Sequence, residues 1–255
     1  MRVSIIGSGN VATHIANALQ NANLMVLNIW SHHIENAQTL AHKIGASSVA
    51  NISQIDSDDS DIVIIAVKDD AIASVSSQLN NHKGLIVHTS GAVTIAALSS
   101  HKNYGVFYPL QTFSKHKEID FKQVPICLEA NHTTNLNLLK EFGKLISGSL
   151  YEVNSEQRKI LHLAAVFACN FPNYLYDIAQ QLLTQNQLDF DIIKPLIAET
   201  ANKIQNALPS EVQTGPAIRN DEQTLKKHEG MLQKYPEWLN IYQLLSNQIK
   251  NNSSY

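Results

Sequence analysis

The 255-residue sequence predicts an α/β fold, a doubly wound and mostly parallel sheet, followed by an all-helical C-terminal domain. Three observations predict it. Short β-branched runs alternate with amphipathic stretches from Arg2 to Val153, the first run leads at once into a glycine-rich turn, and after Asn154 only helical periodicity remains. Such alternation implies βαβ units, a parallel sheet and right-handed crossovers.

Residues 1–6 read as a buried strand, Gly7-Ser8-Gly9-Asn10-Val11-Ala12 as a tight turn and 13–19 as a helix, with Ala12, Ile15, Ala16 and Leu19 at inward spacing. Each small residue has a task. Gly7 makes the turn, Gly9 lets backbone approach a pyrophosphate, and Ala12 lets helix and strand pack closely. The helix N-terminus adds unpaired N–H groups and partial positive charge. The turn therefore reads as a Rossmann-type dinucleotide site, with Gly7, Ser8, Gly9, Asn10 and Val11 as cofactor-binding residues.

Further strands are predicted at 24–30, 47–50, 61–67, 85–88, 105–107, 125–128 and 150–153, and a helix at 34–44. The run Asp61-Ile62-Val63-Ile64-Ile65-Ala66-Val67 is nearly continuous, as expected for a parallel strand buried on both faces. Asn154 with Gln157 forms a capping box for a long helix towards Leu183, kinked near Pro172. Helices at 190–208, 221–233 and 237–249 follow, the last with Pro236 at its start, and the polar tail 251–255 is expected to fray. The division is a dinucleotide-binding domain, 1–153, and a helical substrate and dimerisation domain, 154–255.

A net charge of −3 and a pI near 6.4 argue against a nucleic-acid partner. No charged-then-apolar leader precedes the first strand and no apolar run reaches membrane length, so the expectation is a soluble, cytoplasmic protein without membrane association. The two cysteines, Cys127 and Cys169, sit in apolar surroundings without metal-ligand spacing. They read as reduced core thiols, and no metal site is expected.

An NAD-preferring fold places an acid at the end of the second strand. Here Trp30-Ser31-His32-His33 stands there, with no acid before Glu35. That removes repulsion against a 2′-phosphate, and Ser31 and His32 can donate to one. The cofactor expected is NADP, although the arginine common at such sites is absent.

Ligands of open α/β sheets sit beyond the carboxyl ends of the strands. Three ends are polar: Val67-Lys68-Asp69-Asp70, His88-Thr89-Ser90-Gly91 and Tyr108-Pro109-Leu110-Gln111-Thr112. Val67, Lys68 and Thr89 are assigned to the cofactor. Asp70 reads equally well as a helix cap. The small, hydroxyl-bearing turn at Ser90 can let a nicotinamide or a substrate carboxylate approach the backbone, so Ser90 joins the catalytic candidates. On the long helix, Lys159, His162, Val166, Asn170, Asn173 and Asp177 fall within an arc of roughly 80°. This stripe is either a solvated face or the wall of an interdomain cleft, with His162 and Asn170 at its lip. Imidazole suits proton transfer accompanying hydride transfer. Arg219 is one of only three arginines and lies in the Gly-Pro turn 214–221. It is either half of a structural Arg–Asp pair or an anion clamp for substrate.

The runs GSGNVA, DIVIIAVKDDAI, HTSGA, YPLQTF, LHLAAVFACNF and TGPAIRND, in this order, resemble Rossmann-like proteins with a C-terminal domain of unknown function. That group is similar to deazaflavin-dependent NADP oxidoreductases and to the pyrroline-5-carboxylate and 6-phosphogluconate dehydrogenase superfamily. The resemblance implies NADP binding and a helical domain that often builds a dimer. It supplies no substrate. Hydroxyacid-dehydrogenase relatives carry a catalytic lysine four residues before an asparagine on this helix, where this chain has Val166 before Asn170, so that mechanism does not transfer.

Two functions follow. One is an NADP-dependent oxidoreductase moving hydride between nicotinamide and a small carbonyl or imine bound between the domains. The other is a non-catalytic NADP-binding sensor or dimeric partner module. Apolar stripes at Leu161, Phe167, Phe171, Ile193, Leu196 and Ile197 predict a homodimer through the helical domain, with Trp238 and Tyr242 as further contacts.

Overall fold

The computed structural model describes residues 1–115 and 117–252. Its chain forms two compact units, Met1–Cys169 and Asn170–Tyr255. The first holds one eight-stranded sheet in the order β3-β2-β1-β4-β5-β6-β7-β8. The strands are β1 (Arg2–Ile6), β2 (Met25–Trp30), β3 (Ser47–Val49), β4 (Ile62–Ile65), β5 (Leu85–His88), β6 (Tyr104–Pro109), β7 (Ile126–Ala130) and β8 (Leu150–Glu152). All neighbours pair in parallel except β6 with β7, so the sheet is mostly parallel, as the alternating pattern predicts. Helices α1 (Asn10–Asn21), α2 (Ile34–Ile44), α3 (Ser53–Asp56), α4 (Ile72–Ser76), α5 (Thr133–Ile146) and α6 (Ser155–Ala165) complete the unit.

Strand β4 shows why the central runs are apolar without alternation. Ile62 and Ile64 belong to one buried cluster, with Ile15 and Leu19 of α1 and Phe142 of α5. Val63 and Ile65 belong to another, with Ile55 of α3 and Ile72 and Val75 of α4. Successive side chains point to opposite faces, and helices cover both, so no position on β4 can be polar.

The second unit carries α7 (Phe171–Gln185), α8 (Lys194–Lys203), α9 (Glu222–Leu232) and α10 (Pro236–Asn252). Among its described residues the buried apolar side chains are Ala217, Leu225 and Leu232, while Ile192, Leu196, Leu208 and Met231 are each more than 60% exposed. No helix among the described residues is long and apolar enough to cross a membrane.

Three expectations change. The long helix is interrupted by a five-residue π-helical segment, Val166–Asn170, ahead of Pro172 rather than by a simple kink at it. Proline offers no N–H to the carbonyl four residues back and crowds it, which favours a locally widened turn. The helix expected over 190–208 splits into a 3₁₀ turn, Phe190–Ile192, and α8, because Pro195 takes the first turn of a new helix. Cys127 is buried but Cys169, on the π-helical segment, is exposed, so only the first is a core thiol. Of the tail, Asn251 and Asn252 end α10, and 253–255 lie outside the described residues.

Candidate functional site

The phosphate turn is shaped by two glycines under different constraints. Gly7 has φ +127°, and a Cβ there would lie 2.1 Å from the Ala66 carbonyl oxygen at the end of β4. Its N–H donates to the Trp30 carbonyl at 2.7 Å, so the turn is clamped between β2 and β4. Gly9 precedes α1 with ordinary backbone angles, φ −73° and ψ −171°, and a Cβ on it would meet nothing within 4 Å. Its side is open. No side chain caps α1 and no acid lies in its first turn, so its orphan N–H groups are directed at whatever occupies that space. These features fit a dinucleotide pyrophosphate.

Ser8 and Ser31, assigned from opposite ends of the cofactor motif, touch through their hydroxyls at 2.7 Å. Val11 is half-buried, while Asn10, His32 and His33 are exposed. The Asn10 amide donates to the Phe113 carbonyl at 2.9 Å, and His14 Nε2 lies 2.9 Å from the Ser114 carbonyl. The loop after β6 is thereby tied to the first turns of α1.

At the end of β4, Val67 is half-buried and Lys68 exposed. Lys68 leads into a 3₁₀ turn, Asp69–Ala71, where no side chain makes a cap hydrogen bond, so Asp70 is an exposed turn residue and not a helix cap. At the end of β5, Thr89 is buried, its N–H donating to the Ile65 carbonyl at 3.2 Å. Ser90 is 7% exposed. Its hydroxyl oxygen accepts from Ala92 and Val93 N–H at 3.1 and 3.0 Å, which shapes the turn and leaves the hydroxyl proton to donate.

That turn is held from beneath by Arg158, fully buried on α6. Arg158 donates to the Ser90 carbonyl at 3.1 Å, the Val93 carbonyl at 2.6 Å and Ser155 Oγ at 3.3 Å, and pairs with the Glu129 carboxylate of β7. Ser155 Oγ in turn donates to Glu129 at 2.9 Å. A buried guanidinium bonded through all three of its nitrogens is a strut. Beside it His88 is fully buried, its Nδ1 accepting from the Ser90 N–H at 3.2 Å. Burial first, and the Arg158 charge second, push its pKa down to about 4, against a smaller opposing effect of the Thr94 backbone. His88 is thus a neutral spacer.

Roughly 40° round α6 from Arg158, four residues on, His162 stands half-buried. Its Nδ1 lies 3.0 Å from the Tyr108 hydroxyl at the end of β6. Both pack on Gly91, where a Cβ would come within 2.8 Å of His162 Nδ1 and 2.8 Å of Tyr108 Cζ. The structure therefore brings Ser90, Gly91, Tyr108 and His162 together at the carboxyl ends of β5 and β6. Sequence reasoning missed the roles of Tyr108, Arg158, Glu129 and His88. A signal existed for two of them: Arg158 precedes His162 by one helical turn, and Glu129 interrupts an apolar strand.

Asn170 and Arg219 belong to the second unit. Asn170 is exposed, at the start of α7, and makes no cap bond. Arg219 is exposed in the turn before α9, whose cap is Asp221, accepting from Thr224 N–H at 3.1 Å. The Asp221 carboxyl is held low mainly by these Thr224 bonds, with Arg219 contributing. Lys159 pairs with Glu156 at 2.8 Å. Two surface cavities among the described residues lie elsewhere. One of about 750 Å³ is lined by the far end of α1 and by Lys115, Lys117 and Lys122. One of about 630 Å³ lies where β1, β5 and β6 begin, around Arg2, Asp58 and Asp61. Neither is at the carboxyl ends, where the strand topology directs ligands.

The fold and the glycine turn define a dinucleotide-binding α/β protein, and comparison with known proteins narrows this. Residues 2–90 match the family described as NADP oxidoreductase, coenzyme F420-dependent, and residues 124–249 match a domain of unknown function, DUF2520. The structure of a candidate NADP oxidoreductase from Bacteroides fragilis is 39% identical, with 98% of each chain covered and a TM-score of 0.91. The chain belongs to this NADP oxidoreductase family with a DUF2520 C-terminal domain. An imine reductase from Myxococcus stipitatus in complex with NADP⁺ shares the fold at 13% identity, 99% and 93% coverage and a TM-score of 0.67. So does a pyrroline-5-carboxylate reductase from Streptococcus pyogenes, at 12% identity, 98% coverage of each chain and a TM-score of 0.67. No curated protein sequence matches the chain.

Proposed function

We propose that the protein is an NADP-dependent oxidoreductase that reduces a small carbonyl or imine, with His162 as the proton donor. The observation that carries this reading is the seat of the His162 imidazole on Gly91, next to Ser90 in the chain, at a carboxyl strand end, where open α/β sheets bind their ligands. Gly7, Ser8, Gly9, Asn10 and Val11 would hold the pyrophosphate, Ser31 and His32 the 2′-phosphate, and Val67, Lys68 and Thr89 the nicotinamide half. NADPH, when bound there, would supply the hydride whose electron pair forms the new C–H bond. His162 supplies the proton to the substrate oxygen or nitrogen as its double bond to carbon opens, and regains one from solvent. Ser90 has its hydroxyl proton left for the same heteroatom. Asn170 and Arg219 remain candidates for orienting the substrate.

The functional division we propose is a dinucleotide-binding domain, 1–153, and a substrate and dimerisation domain, 154–255, in a cytoplasmic homodimer. The exposed apolar side chains of the second unit, Leu196 among them, support the dimer. Val166, where the resemblance to hydroxyacid dehydrogenases would place a lysine, favours the alternative of an NADP-binding sensor. His162→Ala decides: turnover on a substrate found by screening carbonyls and imines with NADPH falls by about 10²–10⁴, while calorimetry shows NADPH affinity unchanged. Absence of turnover in the wild type, with NADPH bound tightly, favours the sensor.

A further inference from the structure

We infer that Tyr108 is the positioning residue for His162, its hydroxyl donating to Nδ1 and so holding the imidazole proton on Nε2, the nitrogen left to face a substrate. The inference rests on the reading of His162 as the proton donor and adds to it the tautomer that donor must have. A neutral imidazole carries one proton on either nitrogen, and its neighbours decide which. Here Nδ1 is 3.0 Å from the Tyr108 oxygen, and the rings meet edge-on, 6.1 Å apart at 70°. Among the described residues this is the hydroxyl's one hydrogen bond.

Gly91 makes the approach possible. A Cβ there would come within 2.9 Å of His162 Cγ as well as 2.8 Å of Nδ1 and of Tyr108 Cζ. The Nδ1 edge of the ring is therefore the one laid against the turn, and Nε2 lies across the ring from it. Any larger residue would wedge the pair apart.

The surrounding groups keep Tyr108 a donor. Burial pushes its phenol up to about 12, helped by Cys127 of β7 and Asp69 after β4, with Arg158 of α6 pulling the other way. Arg158 is already bound to Glu129. The phenol keeps its proton throughout the neutral range, and its oxygen meets Nδ1 as an O–H. A substrate heteroatom at Nε2 then meets an N–H; as that proton is delivered, the Tyr108 hydroxyl proton passes to Nδ1, 3.0 Å away, and solvent replaces it, so the ring stays neutral throughout.

The test is the tautomer itself. The full chain, labelled with ¹⁵N-histidine, is examined by long-range ¹H–¹⁵N NMR above the imidazole titration range, with His162→Gln assigning the ring. Wild type is expected to carry its proton on Nε2. Tyr108→Phe, which removes only the hydroxyl, is expected to move the tautomer ratio about fivefold towards Nδ1–H, the effect of one net hydrogen bond. A wild-type ring protonated on Nδ1 overturns the inference, as does a ratio unchanged in Tyr108→Phe. If that variant does not fold, the wild-type spectrum decides alone. Neither readout needs cofactor or turnover, so failure of the proton-donor reading would leave the pairing standing, and the reverse.

Discussion

Replacing Arg158 by methionine tests whether the buried strut holds the reacting end together. Methionine keeps most of the volume and deletes the charge. The Glu129 carboxylate, with 17% of its side chain exposed, then loses its cation, and the Ser90 and Val93 carbonyls lose donors at 3.1 and 2.6 Å. Removing one partner of a buried pair costs about 3–5 kcal/mol, because the other charge is left uncompensated. The lost carbonyl bonds are part of the same event and do not add in full. At roughly 2–4 °C per kcal/mol for a domain of this size, about 4 kcal/mol lowers Tm by some 8–16 °C, read by circular dichroism with calorimetric confirmation. The double variant Arg158→Met/Glu129→Gln removes the stranded charge and is expected to recover about 1–3 kcal/mol of the loss. A loss under about 1 kcal/mol in the single variant, or no recovery in the double, would refute the strut.

The remaining predictions concern the turn, the buried imidazole and assembly. Gly9→Val fills open space, so it should abolish NADPH binding in calorimetry while leaving Tm nearly unchanged, whereas Gly7→Ala drives a Cβ into the Ala66 backbone and should lower Tm as well; equal Tm losses would contradict this. NADPH should bind more tightly than NADH, and a reversed order would sink the role given to Ser31 and His32. His88 titrates at about 4 in the folded chain against 6.5 for an ordinary histidine. The unfolded chain therefore binds the proton first, and stability falls as pH drops from 6.5 towards about 4, by at most about 3 kcal/mol. Above that window His88 contributes no slope, and His88→Gln should flatten the wild-type curve within it. Light scattering should give a dimer at micromolar concentration that Leu196→Glu weakens, and a wild-type monomer would refute the assembly.

Most of the sheet was legible because its causes are local. Strand β5 and helix α2 were read to the residue, and the Asn154–Gln157 capping box forms with both bonds in place. The β-branched run at β4 required helices on both faces, and they are there. The helical unit was harder to delimit. Pro172 and Pro195 act on carbonyls a turn away, so their effect is a π-helical segment in one case and a new helix start in the other, and propensity alone does not distinguish them. Cys169 looked like core by its apolar neighbours, yet those neighbours include Phe167 and Phe171, themselves exposed.

The reacting end was legible by residue type and illegible by role, and charge bookkeeping explains why. The scarcity of arginine drew attention to Arg219, because a cation in a loop looks more available for an anion than one on an apolar helix, such as Arg158. The fold bears that out for Arg158, which is fully buried. Glu129 stands on β7, far off in sequence, and only the pairing of β7 beside β6 brings its carboxylate under the β5 turn. Once that pair closes, Arg158 is fully buried with four of its N–H groups bonded within the fold, and the turn it supports presents Ser90 O–H, the Gly91 backbone and the His162 edge instead. A hydroxyl, a peptide backbone and an imidazole edge suit a polarised double bond rather than a carboxylate. On the proposed reading, the chemistry of the first unit is proton delivery beside the dinucleotide, with exposed Lys68 as its candidate for any substrate charge.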